Sequence, residues 1–90
     1  MAGYFDYNDE RYQKGYTRVT GTILDFCKSN IGVQICYLEK RDYDKYRGTM
    51  FPRYAIIHSV KRNQVFTDEG HNSFNVKDIL ELAYKNTQDD

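Results

Sequence analysis

The stretch Phe74-Asn75-Val76-Lys77-Asp78-Ile79-Leu80-Glu81-Leu82-Ala83-Tyr84-Lys85 decides the fold expected of this chain. Asn75 is a residue type that caps helix N-termini by accepting a backbone N–H bond. Asp78, three positions on, suits the partly positive first turn. Phe74 before the cap and Ile79 five residues later fit a hydrophobic staple. Val76, Ile79, Leu80 and Ala83 recur at helical spacing, so one stripe would face a neighbouring layer. The spacing therefore predicts a C-terminal helix, with residues 87–90 as a frayed polar tail.

Upstream, the pattern switches to a period of two. Ile31, Val33, Ile35 and Tyr37 alternate with Gly32, Gln34, Cys36 and Leu38, which predicts a strand over 31–39 with one buried face. Residues 16–26 carry the β-favouring Val19, Thr20, Thr22, Ile23 and Phe26, and read as a second strand. The apolar phase changes between Ile23 and Leu24, where Gly21 would mark a bulge or bend. Ser29, Asn30 and Gly32 supply turn chemistry, so the two strands are expected to form an antiparallel hairpin. After Pro52, Arg53–Val60 reads as a further strand with Tyr54, Ile56, His58 and Val60 on one face. Lys61-Arg62-Asn63 is a turn, Gln64–Thr67 a short fourth strand, and residues 68–73 a loop. The expected class is α+β: three or four antiparallel strands, as an open sheet or small barrel, covered by one C-terminal helix.

Ninety residues make one domain. Residues 1–15 form a Tyr-rich arm holding Tyr4, Phe5, Tyr7 and Tyr12, and residues 16–86 form the domain proper. A chain this short buries only about 60–65% of its unfolded surface, which leaves little depth for a catalytic cleft. Thirteen cationic residues balance 13 anionic ones. Disorder by charge is thereby disfavoured, as is the strongly basic balance of a dedicated nucleic-acid binder. The first residues lack a basic and then apolar leader, and no apolar run nears the roughly 20 residues of a membrane span, so a soluble, cytoplasmic protein is expected.

The residues that could carry chemistry are scattered. Cys27, Cys36, His58 and His71 lack metal-ligand spacing, so no metal or other cofactor is expected. No nucleophile elbow, phosphate loop or paired-carboxylate motif appears, and no catalytic residue is assigned. In a hairpin centred between Ile31 and Gly32, Cys27 and Cys36 would face each other. Such a placement only marginally meets disulfide geometry, and two reduced, packed thiols are the expectation. His58 is expected to be a half-buried strand histidine. Gly21-Thr22-Ile23, Phe26, Gly32 and Ile35, then Ile57-His58, share a hairpin rhythm that faintly resembles cold-shock domains, barrels that bind single-stranded nucleic acid. The base-stacking aromatics of that family have no counterpart in Gly32-Val33-Gln34-Ile35 or Ala55-Ile56-Ile57-His58, and no family is assigned.

Segment 40–62 stands apart. Lys40, Arg41, Lys45, Arg47, Arg53, Lys61 and Arg62 oppose only Asp42 and Asp44, and Tyr43, Tyr46, Phe51 and Tyr54 are interleaved. Tyr and Arg are enriched at interface hot spots. The candidate binding residues are Arg41, Tyr43, Lys45, Tyr46, Arg47, Arg53, Tyr54, Lys61 and Arg62. The leading expectation is a small non-enzymatic inhibitor, adaptor or regulatory subunit, of the kind common among phage and mobile-element products, that binds a protein partner. The alternative is a nucleic-acid-binding module, because arginines among aromatics also suit phosphates and stacked bases. That alternative requires Arg41, Arg47, Arg53 and Lys61 to converge on one face.

Overall fold

The structure is a computed structural model and describes residues 15–42 and 52–86. These residues form a six-stranded, wholly antiparallel open sheet with one α-helix, in place of the smaller sheet under a C-terminal helix that the sequence predicts. The elements run β1 (Tyr16–Arg18), α1 (Ile23–Ser29), β2 (Gln34–Glu39), β3 (Arg53–Lys61), β4 (Gln64–Thr67), β5 (Asn72–Asn75) and β6 (Ile79–Lys85). Single 3-10 turns cover Lys40–Asp42, Asp68–Gly70 and Val76–Asp78. The strand order is β1-β6-β2-β3-β4-β5, so the last strand is inserted between the first and second.

Three elements correct the sequence reading. The first lies in residues 16–26, where the expected strand ends at Arg18 and a helix begins at Ile23. The phase change at Ile23 is the start of helical periodicity. Ile23, Phe26 and Cys27 fall on one stripe and pack into the core. Asp25 in the first turn and Lys28 in the last complement the helix dipole. Asn30 ends the helix, its Nδ2 donating to the Phe26 carbonyl at 2.8 Å. The expected hairpin between 16–26 and 31–39 is therefore absent, and β2 pairs with β3 and β6.

The second correction is the C-terminal segment. Asn75 does cap, accepting from the Lys77 N–H at 2.9 Å, but the turn it caps lasts only three residues. From Ile79 the chain is strand. Pairing decides this: β6 bonds to β2 along one edge and to β1 along the other, and Ile79, Glu81, Leu82 and Ala83 are all buried. A short apolar run buried on both faces does not differ from a helix segment in periodicity. The third correction is β5, which spans the end of the segment read as a loop and the expected start of the helix at Phe74 and Asn75, and pairs with β4 from Gln64↔Asn75 to Thr67↔Asn72.

β2 is likewise buried on both faces. Ile35 and Tyr37 join the main core with Cys27, Ala55, Ile57, Val65, Phe74, Ile79 and Leu82, whereas Cys36 and Leu38 pack with Ala83, Tyr16 and Leu80. Cys27 and Cys36 thus belong to different clusters rather than facing across a hairpin, and both are free. Ile31, expected on the buried face, is 52% exposed. The β3–β4 hairpin lies where the sequence puts it, with Arg62 at φ 57° in the turn.

The sheet curls strongly. Tyr37 on β2 and Phe74 on β5 are three strand spacings apart, about 14 Å in a flat sheet, yet their ring centroids lie 4.5 Å from each other. An irregularity between Ile57 and Ser59 leaves His58 as an extra residue on β3, the local device that bends a strand. No helix among the described residues is long and apolar enough to cross a membrane.

Two predictions follow from this core. Helical spacing would bury Leu80 and turn Leu82 away, whereas the strand buries Leu82 to 1% exposure. Leu82→Ala should cost about 2–5 kcal/mol and Leu80→Ala distinctly less; urea denaturation of the two variants measures the difference, and the reverse order would favour a helix. The second concerns pH. Burial pushes the thiols of Cys27 and Cys36 up to about 11 and about 12, and the Tyr37 phenol up to about 12. Each group favours its neutral form in the fold, so its contribution is complete below its unfolded pKa and is lost as pH rises toward the folded value. The urea midpoint should hold to about pH 8 and fall between about 9 and 12, and Cys36→Ala should flatten part of that decline.

Candidate functional site

The candidate residues do not gather at one place. Arg41 sits on the turn after β2, its Nε 2.9 Å from a Glu39 carboxylate oxygen. Arg53 opens β3 and grips Asp42 with two bonds, Nε at 2.6 Å and Nη2 at 3.1 Å, while the other Glu39 oxygen lies 3.6 Å from Nε. Arg53 is held firmly protonated, first by its bond to Asp42. Glu39, just outside the basic segment, and Asp42 therefore neutralise two of its arginines. Tyr54 stands beside this cluster, 42% exposed, with its ring edge toward Tyr16 at 6.0 Å between centroids. Glu39, Arg41, Arg53 and Tyr54, with Tyr37, Asp68, Asn72 and Ser73, line a polar recess of about 340 Å³.

Lys61 and Arg62 lie elsewhere, at the β3–β4 turn. Eight residues of strand separate Arg53 from Lys61, about 26 Å at strand rise, so these two cations do not converge. Tyr43, Lys45, Tyr46 and Arg47 lie outside the described residues.

The outer face of β3 carries a feature that the sequence reading missed. Of Tyr54, Ile56, His58 and Val60, expected on one face, the first three are exposed, whereas Val60, beyond the irregularity at His58, packs against the main core. Ile56 is 50% exposed, and His58 is exposed rather than half-buried. Ile56 and His58 line a groove of about 640 Å³. One wall is Ile31 and Gly32, from the turn between α1 and β2. The other is Asp68, Glu69 and His71, from the turn after β4.

That second turn is unusual in its backbone. Asp68, Glu69 and Gly70 all have positive φ, at 52°, 61° and 89°. The left-handed region is comfortable for glycine but not for glutamate. A Cβ at Gly70 would meet the His58 imidazole at 3.9 Å, an ordinary contact, so it is the positive φ and not a lack of space that calls for glycine there. Asp68 is occupied locally, accepting from Asn72 Nδ2 at 3.0 Å. The signals for the groove were present in the sequence as the Asp68-Glu69-Gly70 turn and the isoleucine at position 56. Period-two reasoning puts that isoleucine on one face with His58, expected to be half-buried, and does not mark it as exposed.

Among the described residues no three His, Cys, Asp or Glu side chains are grouped to hold a metal ion. Comparison with protein-family models, with curated proteins and with solved structures gives no match for the chain.

Proposed function

We propose that the protein is a small non-enzymatic binding module, an inhibitor, adaptor or regulatory subunit, that acts on a protein partner through the outer face of β3. The observation that carries this reading is the exposure of Ile31, Tyr54 and Ile56, at 52, 42 and 50%. Single exposed apolar residues need no explanation, but Tyr54 and Ile56 stand two positions apart on one strand face and Ile31 shares the groove with Ile56. Covering what remains open would contribute on the order of 1 kcal/mol per side chain. Arg41 and Arg53, already ion-paired, form a polar border beside Tyr54, as interface rims do. Tyr43, Lys45, Tyr46 and Arg47, the other candidates of segment 40–62 besides Lys61 and Arg62, lie outside the described residues.

The pairing of Arg41 and Arg53 with Glu39 and Asp42 favours a protein over a nucleic acid. Phosphate binding draws on cations free to displace counterions, and these two are engaged. The test is affinity capture from native lysate by the wild-type chain, Tyr54→Ala, and Tyr54→Ala with Ile56→Ser, each with and without nuclease. The double variant should keep its urea midpoint and lose at least thirtyfold in capture, the effect of about 2 kcal/mol. Capture that vanishes on nuclease treatment would favour the nucleic-acid alternative. Capture that survives the double variant but not Tyr46→Ala with Arg47→Ala would move the surface into segment 43–51.

A further inference from the structure

We infer that the groove between the Ile31–Gly32 turn and the Asp68–His71 turn seats an extended peptide segment of the partner, in which an apolar side chain is followed closely by a lysine or arginine. The inference rests on the protein-binding reading above and names the chemistry of the partner.

The groove, at about 640 Å³, lies within the range of pockets that enclose a ligand, roughly 300–1,000 Å³. Its apolar surface comes chiefly from Ile31 and Ile56, whose side chains are half exposed, while Ile57 beside them is turned into the core. A branched or long aliphatic side chain fits against them. The charged part of the lining is one-sided. Among the described residues Asp68 and Glu69 line it beside the imidazoles of His58 and His71, and no Lys or Arg does, in a chain whose cations and anions are equal in number. Asp68 is bonded to Asn72, whereas Glu69 makes no hydrogen bond or ion pair among the described residues. An anionic occupant would meet two carboxylates at this wall. A cationic side chain gives the exposed Glu69 a counter-charge at the edge of the apolar surface.

An extended segment suits the groove better than a compact ligand. Tyr54 continues the line of Ile56 along the strand, about 6.6 Å away for two residues, so the groove runs into the surface proposed for the partner. Alternate residues of an extended chain face one side at the same spacing. An apolar residue on Ile31 and Ile56 therefore places the residue two positions on within reach of one end of the groove.

The experiment uses the full chain, immobilised, and three pools of heptapeptides with central Leu-x-Arg, Leu-x-Glu or Ser-x-Arg and mixed residues elsewhere, with retained peptides quantified by mass spectrometry. The Leu-x-Arg pool should be retained at least tenfold over each of the others. Glu69→Lys should reverse the order of the Leu-x-Arg and Leu-x-Glu pools, and Ile56→Ser should reduce Leu-x-Arg to the level of Ser-x-Arg. Both positions are exposed, and an unchanged urea midpoint verifies that the variants fold. Equal retention of the pools, retention of none, or an Arg preference that survives Glu69→Lys would overturn the inference. The broader reading fails separately: if Glu69→Lys captures the partner normally while Tyr54→Ala does not, the protein interface stands and the groove is not its peptide seat.

Discussion

The pairing of β6 with β2 is the interaction on which the remaining structure depends. Both strands are buried on both faces, with Ile35, Cys36, Tyr37 and Leu38 on one and Glu81, Leu82 and Ala83 on the other. A strand of that kind has no solvated side and must lie inside a sheet with a partner on each edge. β2 meets the need with β3 and β6, and β6 meets it with β2 and β1. Placing the C-terminal strand between two earlier ones confines β1 to an edge. It also leaves the second face of β2 to a small cluster with Tyr16 and Leu80. The main core can then form on one side only, where α1 and the curled β4–β5 pair enclose it.

Charge is organised by the same arrangement. The net charge of segment 40–62 reads as a basic surface along the chain, but surfaces are assembled in space. The end of β2 brings Glu39 beside the start of β3, and the intervening turn brings Asp42 to the same point. Two arginines that look available in sequence are thereby committed to fixing the β2–β3 corner. The antiparallel geometry of β3 also carries Lys61 and Arg62 to the opposite end of the strand. Among the described residues, what stands beside Tyr54 is a nearly neutral polar border, a different surface from a cationic stripe.

The extent to which the fold was legible follows the physical distinctness of each signal. β3, its turn and β4 were readable because turn residues bound a β-branched run there. The class α+β and the antiparallel pairing were also readable, but the position of the helix was not. In residues 74–85 a true capping residue, Asn75, precedes a run whose apolar spacing fits either period, and only the vacancy between β1 and β2 resolves it. In residues 16–29 the β-branched residues around Gly21 conceal a seven-residue helix, too short to show more than one repeat of its stripe. Of the candidate site, Tyr54 was singled out as one of the interleaved aromatics and lies on an exposed face. Ile56 was missed because alternation tells which residues share a face and not which face is covered.

The exposure of Ile56 has its origin in the curl. A sheet that closes far enough to bring Phe74 against Tyr37 has a concave side, which Ile57, Val65 and Leu82 fill, and a convex side, on which neighbouring side chains splay apart. At β3 the bend is made by the extra residue His58, and the turn after β4 then runs alongside it with Gly70 against the imidazole. The left-handed conformations of Asp68 and Glu69 belong to that sharp return, and each costs on the order of 1 kcal/mol or more. An ordinary hairpin residue at these positions would relieve the cost. The strain persists because the pairing of β4 with β5 begins immediately afterwards at Asn72 and overdetermines the turn. The curvature that closes the core thus also raises an acidic wall beside an uncovered isoleucine, so groove and core are two sides of one bend.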